Sequence, residues 1–431
     1  MSEYTDRDQY KAALAGRAAL PEGFRVATTR LEFFPVERTL AKPLPMNLSL
    51  ILADEPTELF AGCFTRNRFP GWPVVIGRER LAGRRLRGIL VNNKISNVNT
   101  AGGREDAEGL LGALAGVTKS RADELVGAST GIIGWKLPVT DMEAALPRLA
   151  QGLHRASCLP VAEAIMTTDA FPKLRSAEVA LQGGGKGRIV GVAKGAGMIE
   201  PNMATMLVFL LTDVEAPRDE LRRELAGAVS RTFDRISVDS DQSTSDTVLL
   251  LSSAKKGPGR PGALAAAIAE VCGRLAEDVV RNGEGTQHVM RVTVRGRLAD
   301  EQALAAAKAV VNSPLVKTAV FGNDPNVGRV LSALGDYFGN NGIAVEPAEL
   351  SFSIGGVEVY SRGSFALGPD AEERLSAYMK SCQSTSGSQG YPAHERCVDI
   401  AIGVGRGGGE VAAIGSDLSY DYVKENADYR S

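Results

Sequence analysis

Residues Lys194–Thr212 read K-G-A-G-M-I-E-P-N-M-A-T-M-L-V-F-L-L-T. Two glycines, a proline and an asparagine make the first part a loop. An unbroken apolar run, Met206–Leu211, then begins with no turn residue to introduce it. Such a run is a buried strand, so the chain must supply covering layers around it. Short strand signals recur at Gly88–Val91 and Thr247–Leu251. Ser351–Ile354 and Val357–Tyr360 flank Gly355-Gly356 as a hairpin, and Asp399–Val404 and Val411–Ile414 are joined by Gly405–Gly409, which reads as a hairpin connection. Helical spacing marks Glu105–Ala115, the stretch after Pro217 with Leu221, Leu225 and Val229 on one face, Ala263–Val280 and Ala299–Val311. The elements mix without strict βαβ alternation, so sheets with helices layered on their faces are expected rather than a doubly wound fold.

A chain of 431 residues exceeds what one core usually fills, so two or three domains or layered sub-structures are expected. Its 49 basic and 51 acidic residues give a net charge of −2, and aromatics are only 6%, which leaves no electrostatic or stacking surface for nucleic acid. The N-terminal residues are polar and charged, and Leu48–Ala53 is too short to span a bilayer, so a cytoplasmic protein without a membrane partner is expected. Five cysteines with no C-x-x-C pair read as buried thiols, with Cys382 and Cys397 bracketing a polar stretch, Gln383–His394, that reads as a mobile surface loop.

One reading of the Ala204–Thr205 junction places chemistry there. A Thr hydroxyl at the mouth of a buried strand, behind a small residue, is placed to attack the preceding carbonyl. Once the resulting ester hydrolyses, Thr205 owns a free α-amino group. Such a group has a pKa of roughly 7.7–8, so near neutral pH it serves as base for its own hydroxyl. Read from the residues alone, a glycine-rich turn entering a core strand is the commoner meaning of such a stretch.

The run resembles the self-cleavage motif of the ornithine acetyltransferase family, the glutamate N-acetyltransferases of arginine biosynthesis. Further matches follow in the same order: S-T-G-I-I-G at Ser129–Gly134, A-I-M-T-T-D at Ala164–Asp169 and S-T-S-D-T-V-L-L-L at Ser243–Leu251. G-E-G-T at Gly283–Thr286, the run Val311–Arg329 and Y-V-K-E-N-A-D-Y-R-S at the C-terminus complete them. The resemblance implies an α/β fold of the α+β type, a helix–sheet–sheet–helix sandwich of the DmpA/ornithine acetyltransferase kind. It implies cleavage between Ala204 and Thr205 into fragments 1–204 and 205–431, held as a heterodimer and assembled as a heterotetramer of two of each. Thr205 is then nucleophile and base, and Thr130 and Gly131 form the oxyanion hole. Lys194 binds a substrate carboxylate, one of Thr167 and Thr168 contacts substrate, Glu284 pairs with the ornithine amine, and Asn426 and Ser431 reach back from the tail. N-acetylornithine and glutamate are the implied substrates. No metal or cofactor is implied, and acetyl-CoA is an open alternative donor.

Several positions depart from the family pattern. Asn92-Asn93-Lys94-Ile95-Ser96-Asn97-Val98 replaces N-S-G-N-A-N-A, and Val327 replaces the tryptophan of D-P-N-W-G-R. If the first loop borders the pocket, Lys94 adds a second cation near Lys194. The three histidines sit near no nucleophile elbow, and no His/Cys spacing suits a metal. The competing readings are a self-cleaved amidohydrolase or aminopeptidase using water as acceptor, and an inactive scaffold that keeps the fold.

Overall fold

The computed structural model of the protein describes residues 3–200, 206–384 and 390–427. The chain forms two compact units, one of residues 11–234 and 241–279, the other of 1–10, 235–240 and 280–431. Neither follows the boundary at residue 204. Among the described residues no single helix is long and apolar enough to cross a membrane.

The larger unit holds two sheets. In the first, β1 (Phe24–Phe33), β2 (Leu44–Thr57), β4 (Leu86–Asn92) and β5 (Leu125–Ser129) lie in that order, β4 and β5 parallel. The second runs β3 (Phe60–Phe64), β10 (Thr247–Pro258), β8 (Leu207–Glu215), β7 (Lys186–Lys194), β6 (Lys173–Ala180), with β8 and β10 parallel.

Alternation along each strand decides what covers it. Leu48, Leu50 and Leu52 of β2 pack with Leu110, Leu111 and Leu114 of the helix Gly103–Thr118 and with Met142, Leu146 and Leu149 of the helix Val139–Gln151. The intervening Ser49, Ile51 and Ala53 face the other way and are equally buried. On the second sheet the helix Ala263–Arg281 presses on β7, where a Cβ at Gly191 would meet Val271 and Leu275. Every residue of β8 from Leu207 to Val214 is buried. Sheets with helices on one face and full burial on both must meet each other, and the Thr57 hydroxyl of β2 donates to the Ser252 carbonyl of β10 at 2.7 Å. The unit is thus a helix–sheet–sheet–helix sandwich, and Lys194 at the end of β7 reaches Thr130 just past the end of β5, where strands of both sheets end.

The smaller unit is built on a seven-stranded sheet. Its order is β14 (Ser364–Phe365), β13 (Val357–Ser361), β12 (Leu350–Ile354), β15 (Val398–Val404), β11 (Val289–Gly296), β16 (Glu410–Ser416), β9 (Ile236–Ser237). Met290, Val292 and Val294 of β11 form its core with Ala303, Ala306, Val310 and Val311 of the helix Asp300–Asn312. Val327 is buried at the start of the helix Val327–Asn340, capped by Asn326, which accepts from the Arg329 amide at 3.2 Å.

The hairpin at Gly355-Gly356 is present, β12 pairing antiparallel with β13. The expected hairpin across Gly405–Gly409 is not. β11 lies between β15 and β16, parallel to one and antiparallel to the other. The glycines let the connection pass over the end of β11 instead. A Cβ on Gly408 would fall 1.5 Å from the Gly296 carbonyl oxygen, and one on Gly296 would fall 2.1 Å from that of Val404. Only backbone without side chains fits that crossing. Cys382 and Cys397 are buried and not joined as a disulfide, and part of the polar stretch between them, residues 385–389, lies outside the described residues.

Candidate active site

β4 and β5 are parallel neighbours, so their C-terminal ends open at one edge, and both continue into polar turns. The Asn92 carboxamide ties these turns together. Its Nδ2 donates to the Ser129 hydroxyl at 2.7 Å, and its Oδ1 accepts from the amides of Lys94 (3.3 Å) and Ile95 (3.1 Å). The Thr130 amide donates to the Asn92 carbonyl and the Ile132 amide to the Lys94 carbonyl. Between them Gly131 adopts φ +122°, and a Cβ there would lie 2.2 Å from the Lys94 carbonyl oxygen. The Gly131 N–H has no acceptor among the described residues. A side-chain hydroxyl and a backbone N–H therefore stand side by side as donors, the pair an oxyanion requires. Lys94 is half-buried and enters this site through its backbone, against which Gly131 packs.

Lys194 ends β7, where antiparallel pairing sets it opposite Leu207, and it is only 3% exposed. Its Nζ donates to the Thr130 hydroxyl at 3.4 Å. It is therefore not a solvated surface lysine. A second buried lysine, Lys173 at the start of β6, pairs with Asp169 at 2.5 Å, both side chains without solvent contact.

Asp169 organises this part of the site. Its Oδ1 also accepts from the Gly195 amide at 2.8 Å, and its Oδ2 accepts from the Thr167 amide at 2.9 Å and hydroxyl at 3.4 Å. Burial pushes its carboxyl up, but the ammonium groups of Lys173 and Lys194 outweigh burial and hold it well below the usual range. Thr167 is thereby locked to the same carboxylate that holds the residue after Lys194, whereas Thr168 is exposed. Asn93 braces the preceding residue, donating to the Met166 carbonyl at 2.7 Å.

Where β8 begins, the Met206 amide donates to Asp246 Oδ1 at 2.9 Å, and the Met206 carbonyl accepts from the Thr247 amide at 3.1 Å. Thr205 and Ala204, on which the proposed chemistry turns, lie outside the described residues, as does Ser431.

Glu284 and Asn426 belong to the smaller unit. Glu284 is 8% exposed, not the exposed acid that its position after a helix suggests, and accepts from Asn426 Nδ2 at 2.8 Å. His288 is buried, with Nδ1 2.8 Å from Asp417 and Nε2 3.1 Å from Asn323. Among the described residues no group of three or more His, Cys, Asp or Glu side chains is placed to hold a metal.

Asp169, Asn93 and Asp246 escaped the sequence reading. Each lies inside a motif or loop, T-T-D, the Asn92–Val98 turn or S-T-S-D-T, whose hydroxyls and lysines are its more conspicuous groups. The spacing of Asp169 to Lys173 was the one local clue.

The family described as "ArgJ family" matches residues 38–431. An "Arginine biosynthesis bifunctional protein ArgJ" of Nitratidesulfovibrio vulgaris is 39% identical over 420 residues, spanning 96% of this chain and all of that protein. The "Glutamate N-acetyltransferase" of Methanocaldococcus jannaschii is 36% identical over 387 residues, 88% of this chain and 93% of that one. A crystal structure of arginine biosynthesis bifunctional protein argJ from Bacillus halodurans is 31% identical, covering 51% of this chain and 98% of that one at a TM-score of 0.44. Identity of 39% and 36% to these two relatives over 96% and 88% of the chain, with the family match across residues 38–431, leads to one conclusion: the chain belongs to the ArgJ family.

Proposed function

We propose that this chain is a glutamate N-acetyltransferase of arginine biosynthesis, working in the cytosol, that cuts itself between Ala204 and Thr205 and moves acetyl through Thr205. The names of its relatives support the activity, and the Lys194–Thr130 contact beside the Gly131 N–H, which has no acceptor among the described residues, carries the assignment of the site.

In cleavage the Thr205 hydroxyl attacks the Ala204 carbonyl carbon, the peptide nitrogen departs as the α-amine, and water then hydrolyses the ester. In transfer the freed amine takes the hydroxyl proton while the oxygen attacks the acetyl carbonyl of N-acetylornithine. The Thr130 hydroxyl and Gly131 N–H receive the oxyanion. Ornithine leaves as a protonated amine, and the amine of glutamate then takes the acetyl group from the ester and restores the hydroxyl. Lys194 supplies the ammonium for a substrate carboxylate, and Glu284, held by Asn426, is the carboxylate proposed for the ornithine amine. The two fragments stay together as a heterodimer, paired into a heterotetramer. Acetyl-CoA as an additional donor is tested in the same assay.

With N-acetylornithine and glutamate both varied, double-reciprocal plots should be parallel, and donor alone should leave an acetyl group on the peptide that begins at Thr205. Intersecting lines with no adduct would refute the transfer. Release of acetate without glutamate dependence would favour an amidohydrolase instead.

Gly131→Ala tests the oxyanion hole. The added Cβ must displace the Lys94 carbonyl and strains a backbone that L-residues rarely adopt. The N–H then turns from its position, and kcat should fall about 100- to 1,000-fold, the usual cost of one oxyanion donor. An unchanged kcat in the purified variant would remove Gly131 from the mechanism.

A further inference from the structure

β11 and β16 are antiparallel, with Val289 opposite Ser416, so the loop entering β11 and the chain leaving β16 run side by side. Asp417, the first residue past β16, closes that end. Its Oδ1 accepts from the Gln287 amide and its Oδ2 from the His288 amide, each at 3.0 Å. The His288 ring nitrogen Nδ1 lies 2.8 Å from the same Oδ2, and the Asp417 amide donates to the His288 carbonyl at 3.1 Å. Both residues are buried, so this carboxylate fixes the downstream flank of the G-E-G-T loop.

Ser419 fixes the middle of the loop. Its hydroxyl accepts from the Tyr422 amide at 3.1 Å and donates to the Gly285 carbonyl at 2.7 Å. The first contact is a helix cap, because Ser419 stands just before the helix Tyr420–Ala427 and takes the amide of its third residue. The second leaves the helix and goes to the residue beside Glu284. The approach is close. Gly285 has φ +64°, and a Cβ there would lie 2.4 Å from the Tyr422 nitrogen and 2.5 Å from Ser419 Oγ. Further along the same helix, Asn426 Nδ2 donates to Glu284 at 2.8 Å and to the Tyr422 carbonyl at 3.0 Å. One hydroxyl therefore joins the loop that carries Glu284 to the helix that carries Asn426.

We infer that Ser419 is a positioning residue that holds the Glu284 carboxylate ready for a cationic amine, and so sets the preference for a donor with a charged side chain. The inference rests on the reading of Glu284 as the partner of the ornithine amine. A carboxylate tells an ammonium from a methyl group through a charge-assisted hydrogen bond, which needs correct distance and angle. A glutamate side chain free to turn must be ordered when substrate arrives, and that ordering weakens binding. Anchored through Gly285 and Asn426, Glu284 is ordered beforehand. The gain belongs to the charged donor alone and leaves the chemistry at the acetyl group untouched.

The test sets N-acetylornithine against N-acetylnorvaline, which has the same carbon chain without the terminal amine. Glu284→Gln should shrink the ratio of their kcat/KM values by about 10- to 100-fold, the range for a hydrogen bond to a charged group. A ratio that survives this change defeats the underlying reading of Glu284. Ser419→Gly keeps a residue accepted at a helix cap and removes the hydroxyl that reaches Gly285. It should lower the ratio about tenfold through a higher KM for N-acetylornithine, with kcat and both constants for N-acetylnorvaline unchanged. Ser419→Thr, which keeps the hydroxyl, should behave as wild type. With Glu284→Gln responding, an unchanged ratio in Ser419→Gly overturns the proposal alone. Equal losses on both donors, or a threonine variant that behaves like the glycine one, overturn it as well. Should Ser419→Gly not fold, hydrogen–deuterium exchange on wild-type protein decides. Ornithine should slow exchange in residues 283–288 and 420–427 together, and slowing confined to the loop rules the coupling out.

Discussion

Thr205→Ala is expected to leave one uncut polypeptide with no measurable acetyl transfer. On the proposed mechanism the same oxygen serves both reactions, as attacker of the Ala204 carbonyl and as carrier of the acetyl group. Its removal also withholds the base, because the α-amine exists only after cleavage. No partial function should survive, and the loss is about 10⁶-fold, the scale on which deleting a covalent nucleophile acts. Thr205→Ser separates the roles, since a hydroxyl remains. It should be cut, more slowly, and should transfer acetyl. Mass spectrometry and a coupled ornithine-release assay read both variants. An alanine variant that is cut, or an uncut one that turns over, would end the case for a threonine nucleophile.

Asp169→Asn is expected to give the largest loss of stability at any site residue. The carboxylate presents two oxygens to four donors, one of them the ammonium of Lys173, whose side chain has no solvent contact. An amide turns an NH2 toward one set of donors and strands a buried cation. Breaking one partner of a buried pair costs about 3–5 kcal/mol, a fall in melting temperature of roughly 10 °C for a unit of this size. The pH dependence has a definite sign. The carboxyl is held below its unfolded value, so its contribution is present above about pH 4 and fades as pH drops toward the folded value. Wild type and variant should therefore converge in strong acid and differ most near neutrality. Lys173→Met in the Asp169→Asn background removes the stranded charge and should recover part of the loss. A single variant within about 1 kcal/mol of wild type at pH 7 would show that the pair contributes little.

The sequence made periodic elements legible and left their partnerships hidden. Ala263–Arg281 is visible from its apolar spacing, and Leu221, Leu225 and Val229 are buried as that spacing requires. The order of strands is another matter. Nothing near Gly405–Gly409 announces that Val289–Gly296, more than a hundred residues earlier, will lie between the strands those glycines join. The site divides in the same way. Thr130, Gly131 and Lys194 stand out through their motifs, and the structure brings the first and last within hydrogen-bond distance. Asp169, Asn93 and Asp246 acquire meaning only from what they hold. Asp246 meets Met206 across forty residues and Asn93 meets Met166 across seventy-three, and no local pattern encodes such pairings.

The order β3-β10-β8-β7-β6 has a consequence for assembly. A cut after residue 204 assigns β8 and β10 to the downstream piece and β3, β6 and β7 to the upstream one. The downstream pair is then wedged between upstream neighbours on both sides, β3 along one margin and β7 along the other. Made separately, each piece would carry unsatisfied strand margins and invite mispairing. On the proposed cleavage, an uncut precursor would avoid this by setting every strand in register before the chain is opened. The covalent link would then act as a folding jig, needed while the sheet zips together and dispensable once the interleaved strands lock each other in.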